Sequence, residues 1–304
     1  MATRAPAASA GPPGGAASSS EATLLYVYCI LPAASPAAAA LRARQVAGIG
    51  GAPVRVVEWQ DLAAAVSDVP EAEFEEGPLN QLMGNMAWLG ERAAVHQLVN
   101  AQLFALADAL LPLSFGTVYR APDSVARLLQ AQRSDLQARL DAVRERAEWV
   151  LTLRKDAAAQ RAAVEQESPA LAELRREIAA AAPGRAYLLS RRTDELVRQE
   201  AAVLDLRAAQ AMEALAERDG ARVYPEQVAN DAELTQGGVG AGGRAIARST
   251  VLLPRGAPLA EWCDAFNGEW RSRGYSLEAT GPWPPYRSAG APPREDAAEG
   301  RARR

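Results

Sequence analysis

The sequence predicts an α+β protein of two domains, on three observations. The chain has 304 residues, which is long for a single hydrophobic core. Short apolar runs rich in β-forming residues alternate with amphipathic helical patterns. In the second half, these elements follow the order strand, helices, strand, strand, helix, strand, which is the split βαβ or ferredoxin-like arrangement. We therefore expect an N-terminal sheet with packed helices over 22–146 and a ferredoxin-like domain with extra helices over 147–280.

The two ends of the chain differ in composition from the middle. Residues 1–21 are rich in Ala, Gly, Pro and Ser and hold few bulky apolar side chains, so burial cannot offset the entropy of ordering them. Past Tyr286 the chain is again dominated by small and charged residues. We predict a disordered tail over 1–21 and a partly disordered C-terminal tail over 281–304.

The first half predicts about four strands and two long helices. Runs of β-forming residues indicate strands at 24–30, 54–57 and 62–66, the last two joined as a hairpin. Apolar residues at helical spacing predict one helix over about 87–110 and another from Pro122 to near Arg146.

Between these helices lies the apolar run at 111–119. A short apolar run flanked by amphipathic helices is typical of a buried strand, so we predict that it is the central strand of the sheet. Pro112 fits the first residue of such a strand, and Gly116 indicates a bulge or a close approach by another backbone.

The elements of the second half follow from similar patterns. Strands are predicted at 148–154, 221–224, 244–253 and 275–279, with a glycine-rich link at 237–243. Pro183-Gly184 is expected to end one helix, and a second is expected over 193–218. Residues 259–270 carry a helical stripe, and Gly274 is well placed as its C-terminal cap.

The sequence offers no recognisable catalytic or metal-binding constellation. His96 is the single histidine, on the flank of the apolar stripe of the long helix. Metal binding would require at least two more ligands, and catalysis would require a nucleophile or acid beside it. We interpret His96 as a structural residue hydrogen-bonded to a nearby strand or loop. The glycine-rich segments at 48–51 and 237–243 lack the strand-to-helix context of phosphate-binding loops. No enzymatic activity, cofactor or metal is therefore predicted.

The composition of the chain indicates which partners and which cellular compartment to expect. The net charge is −4 and acidic residues interleave with the arginines, which argues against nucleic acid as a partner. Cys29 and Cys263 are expected to be buried free thiols, consistent with a reducing compartment. The chain shows neither a signal peptide nor an apolar run long enough to cross a membrane. We expect a cytoplasmic protein that does not bind membranes.

Four segments in order resemble the GvpL/GvpF family of gas vesicle proteins. The most specific is Leu-Pro-Leu-Ser-Phe-Gly-Thr-Val-Tyr at 111–119, behind a helix carrying His96. The others are Leu-Leu-Tyr-Val-Tyr-Cys-Ile at 24–30, Gly-Arg-Ala-Tyr-Leu-Leu at 184–189 and Gly-Pro-Trp-Pro-Pro-Tyr at 281–286. Together they cover roughly residues 22–287. Relatives often carry Arg where this chain has Ser114, so a contact made by that Arg would be absent or made differently here.

The resemblance implies an accessory protein of the gas vesicle. It would assist assembly or nucleation of the shell by binding the small hydrophobic shell subunit, with other accessory proteins as further partners. Two alternatives remain open: a minor structural component of the shell, and a small-molecule-binding or enzymatic protein that uses the cleft between the domains.

Two sets of residues are candidate partner contacts. Leu24, Tyr26 and Tyr28 would lie on an exposed edge strand, to which a β-rich partner could add. Trp283 and Tyr286 belong to a Pro-rich aromatic segment, which either recognises a partner or packs back on the chain's own surface.

Overall fold

The computed structural model describes residues 22–43, 46–217, 222–225 and 243–290 and shows a mixed structure of helices and two antiparallel sheets. The predicted disordered tail at 1–21 lies outside the described residues, as do residues 291–304 of the predicted C-terminal tail and nearly all of the glycine-rich link at 237–243. The described structure begins at the first sheet and ends with a short helix.

The first sheet has six strands in the order β2-β3-β4-β1-β5, with β6 also paired to β1. The strands are β1 (Thr23–Pro32), β2 (Val46–Ala47), β3 (Pro53–Trp59), β4 (Leu62–Pro70), β5 (Leu111–Pro112) and β6 (Val118–Tyr119). The hairpin predicted between the second and third long strands is confirmed as β3–β4, with Gln60 at a positive φ of 52° in its turn.

β1 is the central strand of this sheet, and both of its faces are buried. It pairs with β4 on one side and with β5 and β6 on the other. Tyr26 and Tyr28 point into one apolar cluster, whereas Val27 and Ile30 point into a second one. The prediction that this strand is an edge is therefore wrong. Its continuous apolar sequence reflects burial on two faces, and strand order depends on distant pairings that the strand itself does not encode.

Helices cover both faces of the first sheet. The helices of this half are α1 (Pro36–Ala43), α2 (Glu71–Phe74), α3 (Glu76–Leu82), α4 (Met86–Leu106), α5 (Pro122–Ala131) and α6 (Arg133–Ala142). α4 packs on the side of Tyr26 and Tyr28, and α5 and α6 pack on the opposite side. Pro122 occupies the first turn of α5, as predicted, but the single helix expected to follow it is interrupted at Gln132.

The apolar run at 111–119 is not the central strand that its sequence suggested. It forms two strands of two residues each, β5 and β6, joined by a turn that contains Gly116 at a φ of +85°. Pro112 has no N–H to donate and Gly116 adopts the left-handed conformation, so a continuous ladder does not form. The run is apolar because Leu111 packs into the cluster under α5 and α6.

The second sheet has the strand order β10-β7-β9-β8, with every neighbouring pair antiparallel. Its strands are β7 (Arg146–Lys155), β8 (Arg222–Pro225), β9 (Arg244–Pro254) and β10 (Tyr275–Trp283). β10 is longer than predicted: it includes Gly281, Pro282 and Trp283, so the C-terminal tail does not begin at residue 281.

Five helices accompany the second sheet within the described residues. They are α7 (Ala157–Glu167), α8 (Pro169–Ala180), α9 (Pro183–Ala216), α10 (Leu259–Trp270) and α11 (Tyr286–Gly290). α9 and α10 cover one face of the sheet. The helix before Pro183-Gly184 ends there as predicted, since α8 stops at Ala180, but Pro183 already occupies the first turn of α9, where its missing N–H costs nothing, so α9 starts earlier than the predicted residue 193. Gly274 is confirmed in a capping role, at a φ of +82° after a short 3-10 turn.

The two halves of the chain share apolar contacts. Ala147 and Trp149 of β7 pack into the cluster that contains Tyr26, and Leu252 of β9 and Ala289 of α11 join the cluster beneath α5 and α6. The guanidinium of Arg255 lies 4.0 Å from the centre of the Phe104 ring. Side chains therefore fill the junction between the two halves at these positions. A small-molecule site in a cleft between the domains would require open space there.

Candidate partner-binding region around His96

Three of the four family-like segments meet around His96. Tyr26 comes from β1, Phe115 and Gly116 from the turn between β5 and β6, and Tyr286 from the start of α11. The fourth segment, at 184–189, lies in α9 and takes no part in this cluster. Segments from opposite ends of the family-like region, such as those of Tyr26 and Tyr286, thus converge on one helix of the first half.

Both ring nitrogens of His96 have partners. Nδ1 shares a hydrogen bond of 2.8 Å with the Tyr26 hydroxyl, and Nε2 lies 3.0 Å from Nδ2 of Asn100. An amide NH2 group can only donate, so in this arrangement Nε2 accepts and Nδ1 carries the ring proton. The structural interpretation of His96 is confirmed: the side chain is buried and hydrogen-bonded to a neighbouring strand.

Burial keeps His96 neutral. Desolvation lowers its pKa from 6.5 to about 4, and a hydrogen bond with the Leu113 backbone opposes this shift only in part. Burial likewise raises the pKa of Tyr26, against the effect of the Gly116 N–H that donates to its hydroxyl at 3.3 Å. At neutral pH His96 and Tyr26 are therefore both uncharged, and they are hydrogen-bonded to each other.

Tyr28 closes the cluster on the side of the 3-10 turn at Ile49–Gly51. Its hydroxyl accepts a hydrogen bond from the backbone N–H of Ile49 at 2.9 Å and shares another of 2.9 Å with Ser67. Burial raises the pKa of Tyr28. A side chain added at Gly48 would collide with the Tyr28 hydroxyl, so the glycine-rich stretch serves close packing here.

Asn100 connects the cluster to the C-terminal segment. Its Nδ2 also donates to the Tyr286 hydroxyl at 3.1 Å, and burial raises the pKa of Tyr286 to about 12. Asn100 is fully buried, one position after the core residue Val99. Sequence reasoning missed it; the signal was an amide side chain inside an apolar helical stripe, which must find a partner when buried.

α11 is fixed by a second set of hydrogen bonds. The backbone N–H and the hydroxyl of Ser288 both donate to one carboxylate oxygen of Glu148, at 2.6 and 2.7 Å. The Arg139 guanidinium donates to the carbonyl of Ala289. Both Ser288 and Glu148 are buried. The C-terminal segment is thus attached to β7 and to α6 as well as to Asn100.

The predicted contact residues fall into two groups. Leu24, Tyr26 and Tyr28 are 5%, 0% and 0% exposed, so their side chains do not reach the surface. Trp283 and Tyr286 are 49% and 37% exposed. Tyr286 packs back on the chain's own surface, with its ring 6.2 Å from that of His96. Trp283 does so only in part, because half of it faces solvent.

The two cysteine thiols lie inside the described structure. Cys29 and Cys263 are buried free thiols, as predicted, and burial raises the pKa of both. Within the described ranges, no three His, Cys, Asp or Glu side chains cluster as metal ligands. In the same ranges, no helix has the length and hydropathy needed to cross a bilayer. Open grooves run along α8 and α9, lined by side chains such as Glu173, Arg192 and Glu195.

The fold is that of an α+β protein with two sheets. The residues of the His96 cluster come from both halves of the chain and connect them. Residues 24–287 match the model of a family described as gas vesicle synthesis protein GvpL/GvpF. The chain is also 31% identical over 247 residues to gas vesicle protein L of Streptomyces sp. (strain CB03234), covering 80% of this chain and 85% of that relative. It belongs to the GvpL/GvpF family of gas vesicle proteins.

Two solved structures share the fold. The crystal structure of the gas vesicle protein GvpF from Anabaena sp. PCC7120 aligns with a TM-score of 0.63 at 15% identity, covering 89% of this chain and all of that one. GvpF from Microcystis aeruginosa aligns with a TM-score of 0.56 at 16% identity, covering 88% and 99% of the two chains. At these identities the likeness concerns the fold alone.

Proposed function

We propose that this chain assists assembly or nucleation of the gas vesicle shell by binding the small hydrophobic shell subunit. The observation that carries the proposal is the family match over residues 24–287. A subunit that polymerises through β-rich apolar surfaces is prone to aggregate before assembly, so an accessory protein that covers those surfaces would keep it available. Other gas vesicle accessory proteins are further candidate partners, and the proposed compartment is the cytoplasm.

Co-expression tests this proposal. A tagged full-length chain and the shell subunit are produced together, and the soluble fraction is purified on the tag. We expect the shell subunit to co-purify, and its soluble yield to fall when the tagged chain is omitted. Purification of the tagged chain without the shell subunit, under conditions that keep both soluble, would refute the proposal.

A minor structural role in the shell is the competing proposal. It predicts that the chain remains on intact vesicles, whereas an assembly factor leaves them. Isolated vesicles washed with concentrated urea and then probed with an antibody against the chain separate the two. Retention in proportion to shell mass supports the structural role, and loss from mature vesicles supports the assembly role.

We further infer that the chain is not an enzyme. His96 has hydrogen-bond partners at both ring nitrogens and a pKa of about 4, so it is poorly suited to exchange protons at neutral pH. A His96→Gln variant that folds but loses a measured turnover of the wild-type chain would contradict this inference.

The proposed contact surface lies on the N-terminal half or on the Trp283 side chain. β1 offers no free edge to which a partner strand could add, because both of its edges are paired. At the ends of the first sheet, β2 and β5 have only two residues each and offer little backbone to pair with. Exposed Trp283 is tested by Trp283→Ala, with co-purification of the shell subunit as the readout.

We also propose that the chain divides into two domains near residue 146, the second being ferredoxin-like. Support comes from the sheets: the first uses strands up to Tyr119 and the second uses strands from Arg146 onward. The order β10-β7-β9-β8 is the one expected of a split βαβ unit. A fragment of residues 147–290 should retain cooperative unfolding; a fragment without a thermal transition would refute an independent domain.

A further inference from the structure

The turn between α8 and α9, together with the start of α9, forms an exposed tip, defined here as residues 178–193. Within this segment, all of which the structure describes, Leu189 is the one buried residue. Tyr187 and Leu188 are 64% and 66% exposed. Both belong to the family-like segment at 184–189, which takes no part in the His96 cluster. Packing within one chain therefore leaves most of these two side chains in contact with water.

The tip is basic, although the chain as a whole has a net charge of −4. It contains no Asp or Glu, and its three charged side chains are exposed arginines: Arg185, Arg191 and Arg192. Among the residues that the structure describes, none of the three arginines has an ion-pair partner. Asp194, which follows the tip along α9, is already paired with Arg161 at 3.0 Å. Three positive charges at the tip are therefore available to an acidic partner.

Helical spacing places these side chains on neighbouring positions of α9. Tyr187 lies one turn from Arg191, and Leu188 lies one turn from Arg192, since each pair is four residues apart. Exposed Tyr and Arg are the side chains most enriched at the centres of protein interfaces. A nucleic acid fits this surface poorly, because the net negative charge of the chain repels a polyanion. The tip is suited to a partner protein that presents acidic residues around an apolar centre.

A surface with this complementary chemistry is present on the chain itself. It is the acidic corner, defined here as residues 71–91, which hold five glutamates and no basic residue. Met83 and Met86 lie in this corner and are 44% and 76% exposed. Methionine side chains are flexible and polarizable, so they adapt to the shape of a partner. The corner thus combines an apolar centre with an acidic rim.

Ion pairs neutralise only part of the charge of the acidic corner. Two arginines, Arg92 and Arg120, pair with four of the five glutamates. The fifth, Glu76, is exposed and has no ion-pair partner within the described parts of the chain. Five glutamates against two arginines leave a net charge of −3 at the corner, and the three arginines give the tip a charge of +3. The two surfaces therefore match in charge as well as in apolar content.

We propose that the tip of one copy of this chain binds the acidic corner of a second copy. Tyr187 and Leu188 pack on the exposed methionines of the corner, and the three arginines of the tip face its glutamates. Opposite charges bring the two surfaces together and fix their register, while the apolar side chains lose contact with water. This self-contact is independent of the binding of the shell subunit, so the two can be tested separately.

Charge reversal on each surface tests the contact. The tip variant carries Arg185→Glu and Arg191→Glu, and the corner variant carries Glu76→Arg and Glu91→Arg. All four positions are exposed, so we expect both variants to fold, and thermal denaturation verifies this. Leu188→Ser is a further variant that keeps every charge and removes one apolar contact. It tests the same surface without charge reversal.

The control variant carries Arg127→Glu and Arg207→Glu. Both arginines are exposed and lie outside the tip, and the double substitution changes the net charge by the same amount as the tip variant does. Sedimentation velocity of the full-length chain over a concentration series, at low and at high salt, measures the dissociation constant of the self-contact. We expect the wild-type chain to associate at low salt and to dissociate as salt screens the charges.

The tip variant and the corner variant should each weaken self-association by at least about tenfold, because attraction becomes repulsion. Leu188→Ser should weaken it measurably, and the control should match wild type. A mixture of the tip variant and the corner variant should associate again. Each variant retains one native surface, and its reversed surface is complementary to the reversed surface of the other.

Several results would overturn the proposal. One is a wild-type chain that stays monomeric at low salt and millimolar concentration. Another is an equal loss in the control variant, which would assign the effect to net charge. A mixture as monomeric as its two components would show that the tip and the corner are not partners. Unchanged self-association of the tip variant, with less shell subunit co-purified, would assign the tip to that subunit instead of to a second copy.

Discussion

The side chain of Asn100 donates a hydrogen bond of 3.1 Å to the hydroxyl of Tyr286, which follows it by 186 residues. This contact attaches the last described helix to the middle of α4. Asn100 is in turn hydrogen-bonded to His96. The two halves of the chain are thus joined by polar groups as well as by apolar packing.

Removing the Tyr286 hydroxyl should weaken the fold. In Tyr286→Phe, Asn100 loses one acceptor, and we expect the free energy of unfolding to fall by about 0.5–1.5 kcal/mol. Urea denaturation followed by circular dichroism measures the change. The control is Tyr187→Phe, because Tyr187 is 64% exposed on α9. Equal losses in the two variants would show that the hydrogen bond to Asn100 contributes nothing.

Stability should decrease on mild acidification because of His96. Its pKa is 6.5 when unfolded and about 4 when folded, so below pH 6.5 the unfolded state binds the extra proton. The contribution is complete above pH 6.5 and is lost as pH falls towards 4. At roughly 1.4 kcal/mol per pH unit, the loss between pH 6.5 and pH 5 is up to about 2 kcal/mol.

Urea denaturation across this pH range measures the effect, with His96→Gln as the control. The chain has a single histidine, so the variant should show a much flatter dependence of stability on pH above 5. A wild-type chain whose stability is constant over the same range would mean that His96 is accessible to protonation in the folded state.

Gly116 should resist replacement by valine for a reason different from the one suggested by sequence. Its φ is +85°, and an added Cβ would lie 3.0 Å from Cδ2 of Leu79, an atom at the flexible end of a side chain. The backbone conformation therefore sets the cost, about 1–3 kcal/mol for a residue forced into the left-handed region. Gly116→Asn should lose clearly less than Gly116→Val, since Asn tolerates that region. Equal melting temperatures for both variants and wild type would contradict this.

Two glycines of the second half should respond oppositely to alanine. At Gly274, with a φ of +82°, a Cβ would lie 2.5 Å from the backbone nitrogen of Gln160, so Gly274→Ala should lower stability by at least about 1–3 kcal/mol. At Gly268, inside α10, a Cβ meets nothing within 4 Å, and Gly268→Ala should raise stability by up to about 1 kcal/mol. Thermal denaturation compares the pair; a shift in the same direction for both would refute the packing around Gly274.

The elements that sequence predicted well are those specified locally. The apolar residues at helical spacing over 87–110 predicted α4, and Pro122 predicted the start of α5. The two runs of β-forming residues at 54–57 and 62–66, with a short segment between them, are sufficient to predict the β3–β4 hairpin. In each case the information lies within about one element's length of chain.

Neither the strand order nor the His96 cluster could be predicted from such local patterns. Whether β1 is central depends on its pairing with β5 and β6, which lie some ninety residues away, and an apolar strand looks the same at an edge or in the middle. The meeting of Tyr26, Asn100 and Tyr286 requires the complete fold. The apolar sequence at 111–119 predicted one continuous strand, but a turn at Gly116 divides the run.

The attachment of α11 has a consequence for biosynthesis. Ala289 fills part of the core beneath α5 and α6, and Tyr286 closes the cluster at His96. A ribosome makes the first sheet early, yet that sheet remains without these two side chains until residue 289 has left the exit tunnel. We therefore expect cotranslational folding of the N-terminal half to stop at an incomplete intermediate until α11 has emerged.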